Sequence, residues 1–304
     1  MKFVVTGATG GAGSWIVEDL ARDGHDVVGV DLERPPRARE NVTFLEADLR
    51  EQGQTWELVQ TYEPDAVVHF AAIPRNGIKP GAETFLTNVE STYHVFESAG
   101  RIGADVVWAS SESIYGSVFA DEPWLPEYLP IDEDHPLRPE DPYATSKLVG
   151  EDLAAATARK YGISVTSIRP SWITYPGSQQ TARGRETFDP ETADPNGNFW
   201  SYVDVRDVVS IVRAVLEADP EAGPEGHDHG SHEVYLAAAE NNFLDRPTAE
   251  VIESVFGDLP ESCALEGDQS AFSTEKARRE LGWQPEHTWE DAELEQVAGP
   301  LFLE

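Results

Sequence analysis

The first 31 residues constrain the fold more than any other stretch of the chain. A short apolar run, Lys2 to Thr6, leads into a turn with glycines at positions 7, 10 and 13. A helical stretch follows from about Ser14 to Asp23, and a second apolar run, Asp26 to Val30, ends at Asp31. The glycines allow the backbone to approach a pyrophosphate, and the helix N-terminus then faces the anion. This order and spacing predict a dinucleotide-binding unit.

Asp31 also indicates which dinucleotide is bound. A carboxylate at the end of the second strand accepts hydrogen bonds from both ribose hydroxyls and repels a 2′-phosphate, which favours NAD. Arg34 and Arg37 follow closely, and either could pair with that phosphate. The sequence therefore predicts NAD as the cofactor and leaves NADP as an alternative.

Strand-like and helix-like segments alternate over most of the chain, which predicts an α/β fold with a doubly wound parallel sheet, the Rossmann arrangement. Residues 171–199 break this alternation and form a predicted polar loop on the substrate side. We predict a dinucleotide-binding domain at 1–168 plus 201–239 and a smaller substrate-binding region at 169–200 plus 240–304. The further predicted strands are Asn41–Leu45, Ala66–Phe70, Asp105–Ala109, Ser164–Ile168 and Glu233–Ala238. The further predicted helices are Phe85–Ala99, Tyr143–Lys160, Thr248–Phe256 and Thr274–Leu281, with one more within Ser201–Ala218.

Tyr143 and Lys147 form a candidate catalytic pair at the start of one predicted helix. Positions four apart share a helix face, so the phenol and the ammonium point the same way. A free tyrosine has a pKa of about 10, too high for a base at neutral pH, and a nearby lysine cation favours the phenolate and lowers that pKa. The alternative is an ordinary helix start with an exposed ring and a solvated lysine, and the surrounding motifs favour catalysis.

The net charge of −34 makes several kinds of partner unfavourable. The chain has 56 acidic against 22 basic residues, and the acids are spread along its whole length. Such a chain repels itself at low salt and stays folded when salt screens the charge. The composition predicts a cytoplasmic protein adapted to high salt, with an ordinary acidic enzyme as the alternative. Nucleic acid and anionic membranes are poor partners for it.

The sequence predicts neither a membrane span nor a metal site. The chain enters its first strand directly, with no signal peptide and no apolar run of spanning length. The single cysteine, Cys263, excludes an internal disulfide and a cysteine-rich metal site. His227, His229 and His232 have a metal-like composition, but they lie in a loop rich in glycine and acids, so we predict a solvated loop there.

Further motifs carry a resemblance to a known family. They are Thr6-Gly7-x-x-Gly10-x-x-Gly13, Asp31, Asp48-Leu49, His69-Phe-Ala-Ala72, Asn88, Ser111 four residues before Tyr115-Gly116, Tyr143-x-x-x-Lys147, Arg169-Pro170, Tyr202-Val-Asp-Val-Arg-Asp207 and the segment Ser273–Pro285. Together they cover nearly the whole chain. The sequence resembles the extended short-chain dehydrogenases/reductases, of the NAD-dependent epimerase/dehydratase type.

This resemblance implies a role for each matching residue. Tyr143 would be the general base toward a substrate hydroxyl, Lys147 would hold the nicotinamide ribose and tune Tyr143, and Ser111 would polarise the reacting oxygen. Asn88 would support the site through its helix. The implied cofactor-binding residues are Gly7, Thr9, Gly10, Gly11, Ala12, Gly13, Asp31, Arg34, Asp48, Leu49, Phe70, Ala71, Ala72, Asn88, Ala109, Tyr143, Lys147 and Pro170. The expected substrate-binding residues are Ser111, Ser113, Ile73, Trp172, Arg183 and Trp200.

The resemblance also implies a homodimer, because the helices around Asn88 and after Tyr143 often pair as a four-helix interface in this family. Apolar residues on both helices permit such a pairing, and a monomer that buries them in its own core is the alternative. These residues are Tyr93, Val95, Phe96, Leu148 and Leu153.

Two departures from the family pattern bear on the substrate. Members that act on nucleotide sugars bind the diphosphate with an asparagine and an arginine, and the matching positions here are Trp172 and Trp200. An indole cannot neutralise a diphosphate but can stack on a sugar. We therefore expect oxidation of a small sugar, an aldose or uronate, at the anomeric carbon. An acidic sugar would pair with Arg169, Arg183 or Arg185.

Two other functions stay open at this stage. The first is a nucleotide-sugar epimerase or dehydratase, in which NAD is recycled and stays bound. The second is a dinucleotide-binding protein that does no catalysis, against which the complete set of Ser111, Tyr143 and Lys147 argues.

Overall fold

Seven parallel strands form the central sheet of the computed structural model, which describes residues 1–218 and 230–304. The strands along the chain are β1 (Lys2–Thr6), β2 (Asp26–Asp31), β3 (Val42–Glu46), β4 (Ala66–His69), β5 (Asp105–Ala109), β6 (Tyr128–Leu129), β7 (Val165–Pro170), β8 (Ile173–Thr174), β9 (Val203–Asp204), β10 (His232–Ala237) and β11 (Ser262–Cys263). The sheet order is β10-β7-β5-β4-β1-β2-β3, and β11-β6 and β8-β9 form two small pairs. The order reverses between β1 and β4, which is where doubly wound sheets bind ligands.

Helices cover both faces of this sheet. They are α1 (Gly11–Arg22), α2 (Gln52–Tyr62), α3 (Gly81–Ile102), α4 (Pro142–Tyr161), α5 (Gln180–Thr187), α6 (Val205–Glu217), α7 (Thr248–Phe256), α8 (Glu275–Leu281) and α9 (Trp289–Ala292). Helices α1 and α6 pack on one face, and α2, α3 and α4 pack on the other. The predicted doubly wound Rossmann fold is confirmed.

Strand β1 shows why the sheet must be covered on both sides. Phe3 and Val5 point to the face under α1 and α6, whereas Val4 points to the opposite face, and all three are almost fully buried. Side chains alternate between faces along a strand, so a continuous apolar run is apolar on both sides.

The C-terminal region builds a third core beside the sheet. Its largest buried side chains come from well-separated parts of the chain: Tyr115, Phe199, Trp200, Tyr202 and Phe272. Whether this region behaves as a separate unit with the boundaries given above stays a prediction.

The predicted strands agree with the structure to within two residues at each end, but helices α2, α5 and α9 were not predicted. Helix α2 has Thr55, Leu58 and Val59 as its buried residues, and α5 has Thr181 alone. A helix that buries so few apolar side chains leaves little periodicity for a sequence to show. The segment predicted as one long loop therefore contains a helical turn that carries Arg183.

The residues of the expected dimer face are divided between the core and the surface. Val95 and Phe96 are buried within this chain, and Leu153 packs against the same core. Tyr93 is 45% exposed, so it is available to a partner. The homodimer stays a proposal. No helix within residues 1–218 and 230–304 is long and apolar enough to cross a membrane.

His227 and His229 lie outside the described residues, and His232 is the first residue of β10. Its imidazole Nε2 hydrogen-bonds to the Ser167 hydroxyl at 2.8 Å. The solvated loop predicted for the three histidines therefore does not extend to His232.

A buried ion pair fastens the C-terminal region to α6. The fully buried carboxylate of Asp207 accepts hydrogen bonds from the backbone amides of Glu286 and His287, each at 3.0 Å. The His287 imidazole lies 2.8 Å from the same carboxylate, and this hydrogen bond raises the pKa of His287 above its usual 6.5.

Replacing His287 with glutamine is therefore expected to destabilise the protein most below about pH 6.5. A raised pKa in the folded state means that the ion pair is complete below the unfolded value and is lost as the pH rises through the folded value. The loss of unfolding free energy at low pH should be about 1 kcal/mol. Thermal unfolding from pH 6 to 9 measures it, with Glu286→Gln, an exposed neighbour, as the control. A deficit that is the same at every pH would contradict the prediction.

Candidate active site

The glycine turn between β1 and α1 is a close contact between backbones. Gly7 has a φ of +71°, and a Cβ there would come within 2.8 Å of the Ala71 amide nitrogen. A Cβ on Gly13 would lie 2.1 Å from the Gly7 carbonyl oxygen. Any side chain at either position would therefore push β1, α1 and the end of β4 apart.

The start of α1 presents free hydrogen-bond donors. Ser14 N–H bonds to the Gly10 carbonyl at 3.1 Å, and the helix has no side-chain cap. Within the described part of the chain, the amides of Gly11, Ala12 and Gly13 have no acceptor. Three unpaired amides at the positive end of a helix fit an anionic group such as a pyrophosphate.

Asp31 is held in place at the end of β2. One oxygen of its carboxylate accepts hydrogen bonds from the Thr9 amide at 2.9 Å and the Thr9 hydroxyl at 2.8 Å. The other oxygen accepts from the Leu32 amide. The carboxylate thus borders the glycine turn with a fixed orientation, which fits a ribose diol. Arg34 is exposed at the neighbouring loop.

The other cofactor residues expected from the resemblance surround this edge of the sheet. Arg50 holds the Asp48 carboxylate through two nitrogens, which lowers the pKa of Asp48, and the Leu49 side chain is buried in the core. Ala71 and Ala72 follow β4 and are half-buried small residues. Phe70 precedes them, and Ala109 and Pro170 end β5 and β7.

Tyr143 and Ser111 meet at the carboxyl end of β5. Asp141 caps helix α4, and its carboxylate accepts from the Tyr143 amide at 2.9 Å and the Ala144 amide at 3.0 Å. The Tyr143 phenol lies beside the Ser111 hydroxyl, which acts to lower the pKa of Tyr143. Ser113 donates its own hydroxyl to Ser111 at 2.9 Å. The phenol is therefore positioned by a helix cap on one side and a pair of serines on the other.

Lys147 lies one helical turn after Tyr143 and is almost fully buried. Its ammonium donates to the Ala109 carbonyl at 2.7 Å and lies 5.7 Å from the centre of the Tyr143 ring. Burial lowers the pKa of Lys147 to about 7. At neutral pH the Lys147 amine is therefore only partly protonated in the protein without its cofactor.

The predicted lowering of the Tyr143 pKa is wrong for the protein without its cofactor. Burial raises the pKa of Tyr143 to about 12, and the carboxylates of Asp141 and Glu112 act in the same direction. The Ser111 hydroxyl opposes this shift. Lys147 does not lower the pKa of Tyr143, because burial lowers its own pKa to about 7 and the amine is neutral where the phenol titrates. The phenol is a proton donor in this state.

Asn88 joins two parts of the site. Its side-chain oxygen accepts from the Ile73 amide at 2.8 Å, and its amide group donates to the Ile73 carbonyl and the Ser146 hydroxyl, each at 3.2 Å. Ser146 in turn donates to the Tyr143 carbonyl at 2.6 Å. Asn88 therefore fixes the segment after β4 against helix α4, which is a positioning role.

The two tryptophans differ in their surroundings. Trp172 is half-buried just after β7, with its ring against Phe243. Trp200 is 5% exposed and packs against Phe188 inside the third core. Part of the Trp172 indole is therefore accessible to a ligand. The Trp200 ring is covered by the third core and has no face accessible to a substrate.

The three arginines of residues 169–200 have different surroundings. Arg169 forms a buried two-nitrogen ion pair with Glu151, at 2.9 and 2.7 Å. Arg185 pairs with Glu293 at 2.7 Å and lies 3.5 Å above the Trp289 ring. Arg183 is exposed and makes no ion pair with any residue that the structure describes.

Glu112 is a site residue that the sequence reasoning missed. Its carboxyl is buried beside Ser111, accepts from the Ser171 hydroxyl at 2.6 Å and also contacts the Asn198 side chain. Burial raises the pKa of Glu112 to about 8. The available signal was an acidic residue directly after Ser111 at the end of a buried strand.

Comparisons with known proteins agree with this geometry. Residues 3–229 match the model of the NAD dependent epimerase/dehydratase family. The chain is 26% identical over 322 residues to a UDP-glucose 4-epimerase of Lactobacillus helveticus, covering 94% of this chain and 93% of that one. It is 32% identical over 180 residues to an L-arabinose 1-dehydrogenase (NAD(P)(+)) of Haloferax volcanii, covering 57% and 67%.

A solved structure shares the whole fold. It is a UDP-glucose 4-epimerase with UDP-glucose from Thermotoga maritima, with a TM-score of 0.70 and 22% identity over 96% of both chains. The chain is therefore an enzyme of the NAD-dependent epimerase/dehydratase family, which belongs to the extended short-chain dehydrogenases/reductases.

Proposed function

We propose that this enzyme oxidises a free aldose or uronate at the anomeric carbon, with NAD or NADP as the acceptor. The observation that carries the proposal is the state of the cations in segment 169–200. A nucleotide-sugar diphosphate needs positive partners, yet Arg169 and Arg185 are paired with Glu151 and Glu293. Arg183 is left as the one exposed arginine of that segment, which also contains no lysine.

The half-buried indole of Trp172 supports the same proposal, because an aromatic face stacks on a sugar ring. The similarity to an L-arabinose 1-dehydrogenase agrees with it, although the aligned stretch covers 57% of this chain. An acidic sugar would take Arg183 as its anion partner.

In the proposed reaction, Ser111 and Tyr143 both hydrogen-bond the substrate hydroxyl. Tyr143 removes the proton from that hydroxyl, and Ser111 stabilises the charge that develops on the oxygen. NAD, when bound, accepts the hydride from the same carbon. With NAD bound, Lys147 would hold the nicotinamide ribose and stabilise the phenolate, which the protein without its cofactor does not favour. The carbonyl product is a lactone.

The second candidate is a nucleotide-sugar epimerase or dehydratase that recycles its NAD. The observation in its favour is the end-to-end similarity to UDP-glucose 4-epimerases, which covers 94% of this chain. Protein that co-purifies with NAD and forms no net NADH would support this candidate.

The deciding experiment is an absorbance assay for reduced nicotinamide with free aldoses, uronates, sugar phosphates and UDP-sugars, each with NAD and with NADP. We propose that the net charge of −34 requires molar potassium chloride in the buffer to screen the acids. Turnover with one class of free sugar supports the dehydrogenase. No signal with any free sugar, together with conversion of a UDP-sugar detected by chromatography of the products, overturns it in favour of the epimerase.

Replacing Asp31 with serine is expected to shift cofactor preference from NAD toward NADP. The carboxylate that Thr9 orients would no longer accept from the adenosine ribose or repel a 2′-phosphate, and Arg34 is exposed nearby. We expect NAD affinity to fall about tenfold, because hydrogen bonds to a charged group are lost. Equilibrium titration with both cofactors measures it, with Glu33→Gln as the control. Unchanged preference would remove Asp31 from the cofactor site.

A further inference from the structure

Tyr175 lies over the glycine turn, although it comes from the opposite half of the chain. It directly follows β8, and a Cβ built on Gly11 would fall 2.0 Å from its hydroxyl oxygen. The hydroxyl therefore occupies the space that a side chain at Gly11 would fill. Gly11 is the first residue of α1 and carries one of the three amides without an acceptor.

The position of this ring is fixed from both sides. Strand β8 pairs with β9, and the Thr174 hydroxyl donates to the Val203 carbonyl at 3.3 Å. Two residues after the ring, the Gly177 amide donates to the Ala292 carbonyl at 2.8 Å. The Tyr175 hydroxyl itself has no hydrogen-bond partner in residues 1–218 and 230–304. A phenol whose flanking residues are anchored, and whose hydroxyl has a free donor, is available to bind a ligand.

We infer that the Tyr175 hydroxyl donates a hydrogen bond to the pyrophosphate of the bound dinucleotide, above the amides at the start of α1. This inference rests on the proposed cofactor site. Burial raises the pKa of Tyr175, so the phenol keeps its proton and acts as a donor to an anion. The absence of a side chain at Gly11 leaves room for this contact. Tyr175, which lies within residues 169–200, would then cover the pyrophosphate site on the side facing away from α1.

The test is the affinity of Tyr175→Phe for three probes that differ in phosphate content: NAD, ADP-ribose and adenosine. We expect NAD and ADP-ribose to bind about tenfold more weakly, because a hydrogen bond to a charged group is lost. Adenosine, which has no phosphate, should bind equally well to both proteins. Calorimetry measures the affinities without any turnover, and Tyr93→Phe, an exposed tyrosine of α3, is the matched control.

A second variant tests the geometry. Gly11→Ala places a Cβ against the hydroxyl and should weaken NAD binding in the wild-type background. The same change should cost less in the Tyr175→Phe background, because the clashing oxygen is gone and the nearest ring carbon lies 3.1 Å away.

The possible outcomes separate this inference from the proposed function. Unchanged or tighter NAD binding by Tyr175→Phe, or an equal loss for adenosine, overturns the role of Tyr175 and leaves the cofactor site standing. Failure of the folded wild-type protein to bind NAD at all overturns the cofactor site itself.

Discussion

Replacing Tyr143 with phenylalanine is expected to lower kcat for the sugar substrate by about a thousandfold, because general acid–base catalysis contributes about 10² to 10⁴. The change removes one oxygen. The ring remains in its pocket against Phe119, and the Asp141 cap, which binds backbone amides, is unaffected. The variant should therefore fold and bind NAD with nearly the wild-type affinity. A loss of turnover without a loss of cofactor binding is the specific signature of this residue.

The measurement combines steady-state turnover with equilibrium binding of NAD. Tyr93→Phe removes an equivalent oxygen from the surface and should have full activity. Wild-type turnover by Tyr143→Phe would end the assignment of Tyr143 as the proton acceptor. Equal losses in turnover and in NAD affinity would instead indicate a structural role, because a merely misfolded site loses both.

The fold was predictable because its sequence signals come from residues that are neighbours in the chain. Each strand of the sheet is a short apolar run between turn residues, and the glycine turn has one conformation that allows β1 and α1 to pack. A Cβ on Gly13 would lie 2.1 Å from the Gly7 carbonyl, so the spacing of the glycines follows directly from this close backbone contact. Helices α2 and α5 escaped prediction because they bury few side chains.

The catalytic set was predictable for the same reason. Tyr143 and Lys147 share a helix face by their spacing, and Ser111 follows a strand whose carboxyl end must meet that helix. The protonation states of Tyr143 and Lys147 were not predictable from the sequence. Whether Lys147 lowers the Tyr143 pKa depends on the protonation state of its amine, and burial lowers the pKa of that amine to about 7.

The features that the sequence did not predict depend on contacts between residues that are far apart in the chain. Arg169 is matched by Glu151, and Arg185 by Glu293, which lies 108 residues away. No spacing in the sequence indicates which arginines are neutralised in this way. The placement of Tyr175 over Gly11 is similarly a product of the tertiary fold.

Replacing Lys147 with methionine is expected to abolish turnover and at the same time to stabilise the protein. The activity should fall by at least about a hundredfold, because the cation that holds the ribose and stabilises the phenolate is removed. The stability should rise because Lys147 is a buried amine whose pKa falls to about 7 on folding. Methionine has a similar length and no charge to bury, so the cost of placing an ammonium in the core disappears.

The stability difference between Lys147→Met and the wild-type protein should depend on pH. The unfolded lysine keeps its proton up to about 10.5, whereas the folded lysine loses it above about 7. The unfolded state therefore binds more protons between these values, and the wild-type protein gains stability as the pH rises through that range. The advantage of Lys147→Met should be largest at or below pH 7 and should shrink toward pH 10, although the lost hydrogen bond to Ala109 offsets part of it.

Lys160→Met, on the exposed end of the same helix, should show no such gain because its ammonium pairs with Glu97 at the surface. Thermal unfolding at a series of pH values measures all three proteins. A variant that is less stable than wild type at pH 6 would show that the Lys147 cation holds the active site together, and that burial does not penalise it.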